Sequence, residues 1–83
     1  MEYKIRFKPN IQKKLDRLPK VDYYRVLAVL SVIAQNPYAG KKLKGVRADQ
    51  WSMRVWPYRV IYMIHKKELV IFVVDVGHRQ GIY

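Results

Sequence analysis

The chain contains no cysteine, which excludes a disulfide framework and thiolate chemistry and points to a reducing, cytoplasmic setting. Acidic residues are scarce. Six Asp and Glu stand against seventeen Lys and Arg, for a formal charge of +11, and a field of that sign attracts polyanions, so nucleic acid or an acidic protein is the expected partner. Long apolar runs are missing as well. The longest, Leu69 to Val74, falls far below the roughly 20 residues needed to span a bilayer, and Met1-Glu2-Tyr3-Lys4 does not open a signal peptide. A soluble protein with no membrane partner is expected. No Gly-rich phosphate loop, no hydrolase triad and no cluster of His, Asp and Glu at ligand spacing occurs, so neither a metal nor another cofactor is called for.

What is present fits one small folded domain over residues 1–83, with 51% hydrophobic residues and room for one core and a shallow site only. Tyr3, Ile5 and Phe7 alternate with Lys4 and Arg6, the period of two of a half-buried strand with a basic outer face. Pro9 suits a first helical turn, and Ile11, Leu15 and Leu18 follow at helical spacing. Pro19 ends that helix and opens another, with a stripe of Tyr23, Leu27, Leu30 and Ala34, until Asn36-Pro37 stops it. From Pro37 to Gln50 the periodicity fails, and Lys41-Lys42-Leu43-Lys44-Gly45-Val46-Arg47 reads as a cationic loop. Trp51 to Val55 and Tyr58 to Ile64 alternate as two antiparallel strands around Trp56-Pro57. After a polar turn at His65-Lys66-Lys67-Glu68, the apolar run Leu69 to Val76 predicts a central strand covered on both faces. The expected fold is α+β: a βααβββ order and a mainly antiparallel four-stranded sheet with a helical hairpin on one face.

The chemistry gathers at the end of the chain, where Gly77-His78-Arg79-Gln80-Gly81-Ile82-Tyr83 follows the last strand. A two-residue or four-residue connection at Trp56-Pro57 sets Arg54 opposite Arg59, away from the Trp and Tyr ladder. Like charges so placed are destabilising unless an anion sits between them. Lys4 and Arg6 lie on the same face of the first strand. RNA is cleaved without metal when its 2′-hydroxyl attacks the adjacent phosphorus, which needs a base, cations around the phosphorane and an acid for the leaving oxygen. Arginine suits the middle role through its planar fork, histidine the outer ones, and tyrosine can stack on an unpaired base. Each has a plainer reading, with His78 ending a strand and Tyr83 packing on the sheet. His78 and Arg79 cannot share a face of a regular strand, and Gly77 is the natural place for a bulge that relieves this.

Leu43-Lys44-Gly45, Met53-Arg54-Val55, Tyr58-Arg59-Val60-Ile61-Tyr62 and Val76-Gly77-His78-Arg79-Gln80-Gly81-Ile82-Tyr83, in the βααβββ order, resemble the RelE/ParE toxin superfamily over nearly the whole chain, with the closing run favouring its RelE side. The resemblance implies a RelE-like, microbial-ribonuclease-like fold and the toxin of a toxin-antitoxin pair. It also implies an endoribonuclease that cleaves mRNA in the A site of the small ribosomal subunit and is neutralised by a RelB-like antitoxin. By position, Arg59 and Arg79 look like the family's phosphate-binding arginines, Tyr83 like its stacking tyrosine and Arg54 like its basic strand residue. Ser52 departs from the lysine or arginine usual there, which leaves the general base open between His78 and Arg54. Catalytic candidates are thus Arg54, Arg59, His78, Arg79 and Tyr83; RNA-binding candidates are Lys4, Arg6, Lys42, Lys44, Arg47 and Ser52. Two other readings remain: a ParE-like inhibitor of DNA gyrase without nuclease chemistry, and an RNA-binding module with little or no catalysis.

Overall fold

The structure, a computed structural model, describes residues 2–78; Arg79 and Tyr83 lie outside them. Alternation builds β1 (Lys4–Phe7), whose Ile5 and Phe7 pack on the core while Lys4 and Arg6 are exposed. Pro9 opens α1 (Pro9–Asp16), which carries Lys13 and Lys14 in its last turn, where cations oppose the helix dipole. The helix α2 (Lys20–Gln35) starts directly after Pro19. Its buried stripe is Val26, Leu30, Ile33 and Ala34, with Tyr23 packed alongside. Leu27 of the expected stripe is 36% exposed. The reason is composition: α2 is apolar on several faces, so helical spacing alone does not select the buried one.

The sheet has five strands in the order β1-β5-β4-β3-β2, with β2 (Lys41–Lys42), β3 (Trp51–Val55), β4 (Tyr58–His65) and β5 (Val70–His78). β1 runs parallel to β5 and the remaining neighbours are antiparallel. β5 therefore lies inside the sheet, as its continuous apolar run predicts. The additional strand β2 falls within the segment read as a cationic loop, and a pair of residues is too short for alternation to reveal. 3₁₀ turns at Pro37–Ala39 and Gly45–Arg47 flank it.

Both helices lie on one face, where Ile11, Leu15, Val26, Leu30 and Ile33 meet Val55, Val60, Tyr62, Ile71, Val73 and Val76. Tyr62 is fully buried and donates its hydroxyl to the Pro37 carbonyl at 2.7 Å, fastening the end of α2 to the middle of β4. Gly40 abuts the same hydroxyl, and a Cβ there would come 2.6 Å from the Ser52 carbonyl oxygen. The ladder between β4 and β5 shifts register between Ile61, opposite Asp75, and Tyr62, opposite Val73, so Val74 is the extra residue. The bulge expected at Gly77 is not formed: Gly77 pairs with Arg59 and His78 with Tyr58 in unbroken register. Sequence alone marks glycine as the easy place to bend, but the shift lies among β-branched residues in mid-strand.

Two outcomes follow from the Tyr62 anchor. Gly40→Ala should destabilise the fold by about 1–3 kcal/mol, the usual cost of forcing atoms into a packed site, as read from the urea midpoint. Burial raises the Tyr62 phenol above its ordinary 10.0, with a backbone hydrogen bond from Gly40 acting the other way. A folded-state value above the unfolded one means that the contribution is complete below pH 10 and is lost as pH rises through the folded value. Alkaline titration followed by tyrosinate absorbance and circular dichroism should show this loss. Tyr62→Phe should remove its share of the pH dependence while lowering stability at neutral pH by about 1–2 kcal/mol.

Candidate nucleic-acid interface

The hairpin register decides where the arginines go. Val55 pairs with Tyr58 and Arg54 with Arg59, so Trp56-Pro57 is a two-residue connection and the two guanidinium groups leave the sheet as direct cross-strand neighbours. Trp51, Met53 and Val55 on β3, with Tyr58, Val60 and Tyr62 on β4, pack toward the helices. Alternation therefore sends Ser52, Arg54, Arg59, Ile61 and Met63 to the helix-free face. Arg54 is exposed, and Arg59 is half-buried with its Nε out of solvent. The stem of Arg59 is thus held against the sheet while Arg54 reaches into water.

Lys41 joins this face. It pairs with Ser52, whereas Lys42 pairs with Trp51, so Lys41 projects on the Arg54 side and Lys42 on the Trp51 side. Ser52 itself is only 5% exposed and offers little surface to a ligand; Lys41, exposed beside it, supplies the cation at that edge. Sequence reasoning overlooked Lys41 because only a long-range pairing distinguishes it from Lys42. Lys44 is exposed in the following loop, and Arg47 donates to the Gln50 side chain at 3.1 Å. Lys4 and Arg6 share the helix-free face, but β5 separates them from β4. Arg6 aligns through Phe72 with Met63, which puts it roughly 16 Å from Arg59 by strand spacing and rise. The structure brings together Arg54, Arg59 and Lys41, and leaves Lys4 and Arg6 toward the other end of the sheet.

His78 does not join the arginines. Its register partner is Tyr58, and the two rings meet edge to face at 6.0 Å, on the side where Tyr58 donates to the Asp22 carboxylate of α2 at 2.9 Å. That bond is the main cause of an upward shift of the Tyr58 phenol, which keeps it protonated and donating. His78 is the parity partner of Tyr58 and so stands on the opposite side of the sheet from Arg59. The regular pairing through Gly77 is the physical reason that the expected convergence of His78 with the arginine face fails.

Carboxylates are drawn elsewhere. Asp22 holds Tyr58 and lies 3.7 Å from Arg25, Asp75 accepts from Lys14 at 2.8 Å, and Asp16 accepts from Gln12. Asp16 and Asp22 thus stay on the helices, whereas Asp75 is the register partner of Ile61 and is answered by Lys14 of α1. The hairpin tip carries one more prominent group, Trp56, which is 54% exposed. Among the described residues no group of three His, Cys, Asp or Glu side chains comes together as a metal site. No described helix is long and apolar enough to cross a membrane.

Comparison with known proteins adds a family to this geometry. An Escherichia coli protein named as RelE-like toxin is 27% identical over 82 residues, covering 96% of this chain and 86% of that protein. The toxin-antitoxin complex RelBE2 of Mycobacterium tuberculosis contains a chain that superposes with a TM-score of 0.86 at 26% identity, covering 95% of this chain and all of that one. The archaeal RelE-RelB complex of Pyrococcus horikoshii gives 0.81 at 29% identity over the full length of both chains. Residues 5–83 match the family described as the ParE toxin of type II toxin-antitoxin systems, parDE. The fold is thus shared from end to end, and the chain belongs to the RelE/ParE superfamily of type II toxins.

Proposed function

We propose that this toxin inhibits translation as a ribosome-dependent, metal-independent endoribonuclease that cuts mRNA in the A site. The observation carrying this reading is the in-register Arg54–Arg59 pair on the helix-free face of a protein with formal charge +11. Two guanidinium groups held side by side repel each other and are relieved by a phosphate that both can grip through bidentate hydrogen bonds.

In the proposed reaction the 2′-oxygen of the RNA attacks phosphorus, a 2′,3′-cyclic phosphate forms, and the bond to the 5′-oxygen breaks, that oxygen leaving as a hydroxyl after taking a proton from solvent. Charge on the phosphorane grows in the transition state, and Arg54 and Arg59 are aimed where it grows. Lys41 extends the cationic surface toward the neighbouring nucleotide. Cations this close also favour loss of the 2′-hydroxyl proton, which passes to solvent. His78, on the Tyr58 side of the sheet, is given no proton-transfer role. Arg79 and Tyr83 keep the parts that the resemblance implies, a further phosphate contact and a base-stacking ring. The neutralising partner is a RelB-like antitoxin, whose binding segment is acidic because it must cover a surface of this charge, and both act in the cytoplasm.

Purified protein added to programmed ribosomes should cleave message within the A-site codon. Arg59→Ala should slow this about 10²–10³-fold, the usual loss on removing one group that stabilises transition-state charge, whereas Lys67→Ala in the β4–β5 turn should match the parent. Intact message with equimolar parent protein overturns the nuclease reading. The match to the ParE family favours one alternative, inhibition of DNA gyrase by binding alone. Supercoiling by gyrase should proceed unchanged in the presence of the toxin; arrest of supercoiling together with intact message would establish the alternative.

A further inference from the structure

We propose that the outward face of α2 is a self-association surface, on which a second copy of this chain docks helix to helix about a two-fold axis near Ala28. Such a pair keeps both of its arginine faces free, because α2 lies on the other side of the sheet.

Val21, Tyr24, Ala28 and Val32 recur at intervals of three and four, which sets them on one side of the helix, opposite the buried Val26, Leu30 and Ile33. All four are in solvent. Val21 is 72%, Tyr24 64% and Val32 52% exposed, with Ala28 exposed between them. Tyr24 meets Tyr23 edge to face at 5.4 Å, and that contact still leaves its ring largely in water. At the helical rise, Val21 and Val32 stand about 16 Å apart along the axis. A continuous apolar strip of that length on the outside of a small protein marks a surface that a partner covers.

Charge identifies the partner. Two copies of a protein of formal charge +11 repel wherever their cations face each other, so they can meet only through surface that carries none. Val26 to Gln35 is such a stretch, without a single ionisable side chain. Arg25, which borders the strip, lies 3.7 Å from Asp22 of the same helix, and its charge is offset there. An acidic or polyanionic partner finds no cation along this stretch and is drawn to other faces. The strip is also self-complementary, as a two-fold axis requires. With the axis at Ala28, the small side chain meets its own copy where the helices approach most closely, and Tyr24 meets Val32 on either side. The helices then run antiparallel, so Lys20 of each copy reaches the last turn of the other's α2, which holds no basic residue of its own and where the helix dipole favours a cation. A face one helix wide falls short of the roughly 800 Å² per partner of a standard interface, so the dimer is weak, with a dissociation constant on the order of micromolar.

Sedimentation equilibrium of the full chain tests this. Dimer should appear as concentration rises through the micromolar range, and should tighten as salt is raised above about 0.1 M, where the Debye length is about 10 Å and shortens further. Screening relieves the repulsion between two basic copies, whereas ionic contact with a polyanion weakens with salt. Val32→Lys and Tyr24→Lys should each raise the dissociation constant about tenfold or more, as expected for a residue central to an interface, with the thermal unfolding midpoint kept because both sites are exposed. Val46→Lys makes the same change of charge at a fully exposed side chain away from α2, and should dimerise like the parent. A chain that stays monomeric up to about millimolar concentration at low and high salt overturns the proposal and leaves the face to a partner of other composition. Equal weakening by Val32→Lys and Val46→Lys also overturns it, since net charge and not this face would then govern association.

Discussion

The hydroxyl of Tyr62 is the point on which the placement of the basic face depends. It is the polar tip of a fully buried side chain in the core, and its bond to the Pro37 carbonyl closes an acceptor that would otherwise be costly to bury. The bond also fixes where the chain leaves α2. Because Gly40 then passes against both Tyr62 and the Ser52 carbonyl, the chain arrives at β2 with no freedom to slide, and Lys41 meets Ser52. A slip of a single residue would exchange Lys41 for Lys42 on the arginine side. One buried hydrogen bond in the core thus helps to set which lysine stands beside the arginine pair on the opposite face.

The sheet also concentrates like charge. Asp22 is held by Tyr58 and Asp75 by Lys14 of α1, while Arg54 and Arg59 are set directly opposite each other across the hairpin. Such a distribution is poor for folding, since the cross-strand arginine pair costs stability. Departures of that kind are expected where a fold is shaped for a ligand and not only for itself. Arg59 is half-buried, with its Nε out of solvent, whereas Arg54 is exposed, so the two members of the pair are solvated differently.

Much of the architecture could be read from the sequence because the signals were local. Alternation identified β1, β3 and β4, the unbroken apolar run identified β5 as internal, and prolines at 9, 19 and 37 bracketed the helices. The Arg54–Arg59 pairing was legible for the same reason, since a hairpin with a two-residue connection fixes its own register. What escaped depends on contacts between distant parts of the chain. β2 exists only through its pairing with β3, Val26 and not Leu27 faces the core because of how α2 docks, and the strand shift falls at Val74 and not at Gly77. The parity of His78, foreseen as an obstacle that a bulge at Gly77 could relieve, follows from regular pairing beyond the shift, which no local pattern announces.

Binding and cleavage make separable demands on a basic sheet. Affinity for a polyanion arises from the number and spacing of cations on one face, and in the proposed reading Arg54, Arg59 and Lys41 supply these from strand positions. Cleavage asks in addition that charge be concentrated where the phosphorane forms and that a nucleotide be held splayed, with the 2′-oxygen in line with the leaving group. Within the described chain only the Arg54–Arg59 pair meets the first demand, because these residues alone are direct cross-strand neighbours of like charge. The two-residue connection that creates the pair also sets its register, so the turn sequence governs how the two arginines are placed. One fold can carry different actions, which is why membership of the superfamily constrains the shape of the site more tightly than its chemistry.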